Sequence, residues 1–123
     1  MHKSVPALTT LLALGLAAAA LTASPAAAPK SPAASPATIA HAKSLVASKR
    51  CSGCHAASLA GRPGFAPSLH ASGVLREYNP TTWARVMDTG VTNDGGHVKK
   101  PMPVYHLKAA DSAALYAYFK TLK

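Results

Sequence analysis

Cysteine and acidic residues are both scarce in this chain of 123 residues, which has 2 Cys and only 4 Asp or Glu. So few cysteines exclude the multi-bridge framework on which small exported scaffolds depend. So few acids leave little material for acid–base catalysis. Beyond residue 38 there are no paired carboxylates, no Ser-His-Asp set and no phosphate-cradling glycine loop. Aromatic residues make up only 6% of the chain, so a core must find apolar mass elsewhere. Strand-like alternation is absent as well. With 13 Lys and Arg, the formal net charge is +9. A basic balance of this kind suits nucleic acid, an acidic protein or anionic lipid. Nucleic acid is disfavoured, because no basic helix or aromatic platform accompanies the charge.

The amino terminus reads as an export signal. Lys3 supplies the charge, Leu8 to Leu21 is apolar, and small residues follow. The apolar stretch is short for a membrane span, which needs about 20 residues. An uncleaved anchor running on through Ala28 is the alternative, and the Ser24-Pro25 break weighs against it. Losing Lys3 with the signal lowers the formal charge from +9 to +8. From Ser24 to Ala37 the chain is mostly Ala, Pro and Ser, a composition that favours an extended tether and builds no core. The organisation expected is a signal peptide at 1–28, a linker at 29–37 and one folded domain at 38–123. Export implies a periplasmic location, with no stable membrane span once the signal is removed.

The two cysteines fall in Cys51-Ser52-Gly53-Cys54-His55. C-x-x-C-H is an attachment pattern for c-type haem. Each cysteine can form a thioether with one vinyl group, and the adjacent histidine can then meet the iron. A zinc site would need four ligands. No second cluster is present, and His70, His97 and His106 are scattered. A thioredoxin-like pair would call for a βαβ pattern. Haem fits best, and it would also supply the missing apolar mass.

Three helices are expected. Thr38 could cap the first, which would run to Ser48 with Ile39, Ala42, Leu45 and Val46 at helical spacing. Asn79 and Pro80 suit the N-cap and first position of the second, through Thr89, with Gly90 as its stop. The last spans about 109–122, with Leu115, Tyr118, Phe119 and Leu122 on one stripe. Asp111 near its start and Lys120 near its end suit the helix dipole. Lys108 offers no side-chain cap there. Helices separated by long loops, without strands, predict an all-α domain of three to four helices whose loops wrap one covalently bound haem.

With His55 on one face of the iron, the opposite face decides the chemistry. An open position allows gas binding or peroxidase-like chemistry, whereas a second strong ligand leaves electron transfer. Met102 is the leading candidate. It lies between Pro101 and Pro103, and a residue before proline is pushed toward extended geometry. Its soft, neutral sulfur favours ferrous iron and raises the potential. Met87, within a helix, suits packing instead. His97 or His106 would give a bis-His site. His41 and His70 read as surface residues.

These elements in this order (Cys51 to His55, Pro67-Ser68-Leu69, Met102-Pro103 and a terminal amphipathic helix) resemble a class I cytochrome c from about residue 38 onward. The run from Thr89-Gly90-Val91 to Pro101-Met102-Pro103 looks like cytochrome subunits of bacterial periplasmic dehydrogenases. The resemblance implies that Pro67 offers its carbonyl to the ring N–H of His55, and that Leu69 packs on the haem face. It places Trp83 against the haem or near a propionate, with ordinary core packing as the alternative. Arg62 could pair with a propionate or stand in solvent. The family's first helix often carries a glycine and an aromatic against the last helix, where this chain has Ala42 and Val46. The function implied is single-haem electron transfer, not enzymatic catalysis. Redox partners would be proteins with acidic docking surfaces, met by Lys49, Arg50, Lys99 and Lys100.

Overall fold

A computed structural model describes residues 32–123. The expected signal peptide and the first residues of the linker lie outside the described residues. Four α-helices follow in order: α1 (Pro36–Ser48), α2 (Cys51–His55), α3 (Pro80–Thr89) and α4 (Ala109–Phe119). A 3₁₀ turn covers Val74–Glu77. The described residues contain no strands, only two isolated bridges, Arg62 with Ala66 and Val91 with His97. The expectation of an all-α domain holds. No described helix is long and apolar enough to cross a membrane.

The first helix starts earlier than its sequence suggests. Ser35 is the N-cap, its side chain accepting from the Thr38 N–H at 3.1 Å. Pro36 takes the first position, where its fixed φ fits and its missing N–H costs nothing. Thr38 therefore lies inside the helix, its hydroxyl bonded to that of Ser35, and the last two residues assigned to the linker are helical. At α3 the sequence and structure agree. Asn79 and Thr82 form a reciprocal capping box, Pro80 follows, and Gly90 closes the helix at φ 75°.

The longest packing is α1 along α4, with α3 also against α4. Ala42 is fully buried, so an alanine at this position is accommodated beside α4. His41 Nε2 lies 2.8 Å from an Asp111 carboxylate oxygen, and the Lys43 ammonium stands over the Tyr118 ring. Both contacts tie α1 to α4. The inner stripe of α4 is Ser112, Leu115 and Phe119, all at most 1% exposed. Tyr118 and Leu122, expected on that stripe, are only half-buried. Leu122 leaves the stripe because α4 ends at Phe119, where 3₁₀-type bonds bring Thr121 N–H to the Tyr118 carbonyl and Leu122 N–H to that of Phe119; Tyr118, still helical, sits at the stripe's edge under the Lys43 ammonium. Lys108 carries no side-chain cap, as expected.

Candidate functional site

The haem-attachment motif is delivered by a break between two helices. After α1 the chain tightens through Lys49, and Arg50 adopts a left-handed φ of 56°. That turn starts α2 in a new direction, with Cys51 and His55 buried and Cys54 half-buried. A left-handed φ at a non-glycine residue is unfavourable and persists only where surrounding contacts enforce it. Here Gly53 N–H bonds the Arg50 carbonyl at 3.0 Å, and Tyr105 donates its hydroxyl to the Lys49 carbonyl at 3.2 Å.

His55 is oriented by a loop folded back on it. Its Nδ1 donates to the Pro67 carbonyl at 2.7 Å, which fixes the tautomer and leaves Nε2 free as a ligand atom. Three backbone bonds hold the segment that presents that carbonyl. Gly61 N–H reaches the His55 carbonyl at 2.8 Å, Leu69 N–H the Leu59 carbonyl at 2.9 Å, and Val74 N–H the Ser68 carbonyl at 2.9 Å. Gly61 has φ 84°, and a Cβ there would stand 2.6 Å from the Pro67 carbonyl carbon. Only glycine permits that approach. Nothing in the sequence reading singled out Gly61; its place in a Gly/Pro-rich loop was the available signal. His70, read as a surface residue, is half-buried and donates to the Ser58 carbonyl at 2.8 Å.

A second loop faces the motif. It is anchored to α3 by two bonds, Val98 N–H to the Gly90 carbonyl at 2.8 Å and Leu107 N–H to the Met87 carbonyl at 3.2 Å. Between these anchors Met102 is non-helical and half-buried. Within the loop, Asp94 accepts from the Thr92 hydroxyl and the Gly96 N–H, which hold its carboxyl below the usual carboxylate range.

These elements enclose one cavity of about 660 Å³, within the size range of small-molecule and cofactor sites. Cys51, Cys54, His55, Pro67, Leu69, Trp83 and Met102 all line it. These seven residues, distant in sequence, are thus brought to one space. Met87 and His97 line it too, whereas His106 and Arg62 do not. His106 is exposed, with Nδ1 3.9 Å from Asp88.

Trp83 departs from one expectation. Its indole N–H donates to the Ser112 carbonyl at 3.0 Å in a buried bond between α3 and α4. The N–H is committed there and does not serve a propionate. The ring meets Tyr78 and Phe119 edge-on, with centroids 5.9 Å apart in each case. Trp83 is therefore both core and cavity wall. Tyr78 and Tyr105 are further lining residues that the sequence reading missed. Lone tyrosines in loops carried no periodic signal.

The residues present fit a covalently attached haem. Two thiols and a preoriented imidazole share a largely apolar cavity, whose other wall supplies thioether sulfur. Burial pushes the Cys51 thiol up from its ordinary value. A family model described as Cytochrome c matches residues 39–123.

This chain belongs to the cytochrome c family. No curated protein and no solved structure matches it. As a cytochrome c it carries covalent haem c, at the C-x-x-C-H motif of Cys51, Cys54 and His55, and it is a haem electron-transfer protein that passes electrons to redox partners. The all-α fold and the match from residue 39 agree with the family expected from the sequence.

Proposed function

We propose that this cytochrome c is a single-haem carrier with His55 and Met102 as axial ligands. The observation that carries the reading is the sharing of one cavity by the oriented His55 ring and the Met102 loop. When bound, the haem supplies an iron that alternates between Fe(III) and Fe(II). The chain's contribution is rigidity. Pro67 holds the imidazole, and the bonds at Gly90 and Met87 hold the Met102 loop. A site that keeps both ligands through the redox change needs little rearrangement. A thioether ligand also raises the potential relative to a second imidazole.

A bis-His site is the second reading, because His97 also lines the cavity. Its exposed position favours Met102, which is more deeply placed. The optical spectrum decides between them. A weak far-red band of the ferric protein, lost in Met102→Ala and kept in His97→Gln and Met87→Leu, supports Met102. A band that survives Met102→Ala refutes it. An open sixth position, suited to peroxidase-like or gas-binding chemistry, would instead show no such band and ready carbon monoxide binding to the ferrous form.

The protein is exported by its amino-terminal segment and works in the periplasm. It takes electrons from a periplasmic dehydrogenase or respiratory complex and passes them to an acceptor. Partners dock through acidic surfaces. Arg50 and Lys99 line the cavity, and Lys100 is exposed beside Lys99. Glu77 and Asp94 line the cavity as well, so the docking charge is the local Lys99–Lys100 pair, which steers an acidic partner into a fast, salt-sensitive encounter.

A further inference from the structure

All but one of the described histidines have a partner. His41 meets Asp111 at 2.8 Å, His55 the Pro67 carbonyl at 2.7 Å, His70 the Ser58 carbonyl at 2.8 Å and His106 the Asp88 carboxylate at 3.9 Å. His97 has no side-chain partner among the described residues, and it lines the haem cavity. Its backbone is held by the bridge to Val91 and by the bond from the next N–H, that of Val98, to the Gly90 carbonyl at 2.8 Å. The other ionisable groups on the cavity are fixed in charge near neutral pH. His55 commits Nδ1 to Pro67 and Nε2 to the iron. Bonds from Thr92 and Gly96 hold the Asp94 carboxyl below the usual range, so it stays ionised. Burial raises Tyr78 and Tyr105, so both stay neutral. Thioether formation consumes Cys51 and Cys54. Arg50, Lys99 and Glu77 are of types that keep their charge there. Imidazole is the side chain that ordinarily changes charge between about pH 5 and 8.

We propose that the His97 imidazole, unpartnered on the wall of the haem cavity, takes up a proton when the protein is reduced and releases it on oxidation. Reduction brings one electron from the redox donor and leaves one more negative charge in the cavity. The ring then takes one proton from solvent at its unprotonated nitrogen, forming an N–H bond, and no bond to iron is made or broken. Oxidation returns the proton to solvent. In a medium of effective dielectric ~20, a unit charge on the order of 10 Å away changes proton affinity roughly tenfold. Glu77 and Asp94 on the same cavity favour the protonated ring, whereas Lys99, and Arg85 bound to the Thr92 carbonyl at 2.9 Å, oppose it. The two haem carboxylates are the competing proton acceptors. Tighter proton binding in the reduced protein requires, by linkage, a potential that falls as pH rises through the imidazole range and is level on either side. The inference rests on Met102 as axial ligand, because a His97 bound to iron has no lone pair left to protonate.

The test is an equilibrium redox titration of the holo-protein across the imidazole range. Proton affinity of the reduced form should exceed that of the oxidised form about three- to tenfold. An indicator dye in weak buffer should then register uptake of about a quarter to a half of a proton per electron where the potential falls most steeply. His97→Gln should make the potential level through that range and bring the uptake close to zero. His97→Lys, charged throughout, should also be level, and higher than His97→Gln at every pH. A parent potential that is level through the range overturns the proposal. So does a fall, with its proton uptake, that persists in His97→Gln, because the proton then belongs to the haem carboxylates. The far-red band separates the two readings. A band kept in His97→Gln, with no proton uptake in the parent, costs only this inference, whereas a band lost in His97→Gln and kept in Met102→Ala costs the Met102 reading.

Discussion

Tyr105 donates its hydroxyl to the carbonyl of Lys49 at 3.2 Å, across 56 positions of sequence. The bond joins the chain just after Met102 to the turn just before Cys51. The two loops that supply opposite walls of the haem cavity are thereby held at a fixed separation. A net contribution of about 1 kcal/mol is expected for one such bond. Tyr105→Phe should lower holo-protein stability by about that amount in denaturant unfolding. A change within error would mean that the bond does not constrain the cavity.

The same tyrosine sets an alkaline limit. Burial pushes the Tyr105 hydroxyl above its ordinary pKa, with the Cys51 and Cys54 charges adding to the rise. Thioether formation removes those charges, so burial alone remains in the holo-protein. Tyr78 is raised too, chiefly by burial. A group raised in the folded state contributes stability that is complete below the unfolded pKa and lost as pH rises through the folded one. Stability should therefore decline above about pH 10, the ordinary tyrosine value. Tyr105→Phe should reduce the slope of that decline. An unchanged slope in the variant would remove Tyr105 as a cause.

Gly61 tests the support behind His55. In Gly61→Ala the new Cβ would meet the Pro67 carbonyl carbon at 2.6 Å, at a φ that alanine rarely adopts. The loop must shift, and the Pro67 carbonyl with it. The expected result is a destabilisation of about 1–3 kcal/mol together with an altered reduction potential. Pro67→Ala keeps the carbonyl and should change the potential much less. If Gly61→Ala left both properties intact, the loop would be more compliant than its three backbone bonds imply.

Trp83→Phe separates core packing from any electrostatic role at the haem. The substitution keeps an aromatic ring and deletes the donor to the Ser112 carbonyl. Stability should fall by about 1 kcal/mol, the net worth of one hydrogen bond, because the Ser112 carbonyl keeps its place in the α4 ladder. Because that N–H points to α4, the pH dependence of the potential should stay as in the parent. A large change in that dependence would return the indole to the propionates.

Lys99→Gln with Lys100→Gln should slow reduction by an acidic partner several-fold at low ionic strength, and the difference should shrink as salt is added. Stopped-flow rates at two ionic strengths check it. Equal rates at low salt would rule out a docking role for this pair.

Local chemistry made much of this protein legible in its sequence. Cys51, Cys54 and His55 declare their role through spacing alone. Asn79-Pro80 and Gly90 mark the ends of α3, because caps depend on residues only a few positions apart. The lack of strand alternation, and helices spaced by loops, gave the all-α class. The start of α1 was misplaced by three residues, since Ser35 and Thr38 are both acceptable caps and only the fixed φ of Pro36 favours the earlier one. Tertiary structure decided the rest, because it depends on which distant groups meet. The indole of Trp83 finds Ser112 rather than a propionate, Gly61 is compelled by a loop six residues further on, and Tyr105 reaches Lys49 from the other wall.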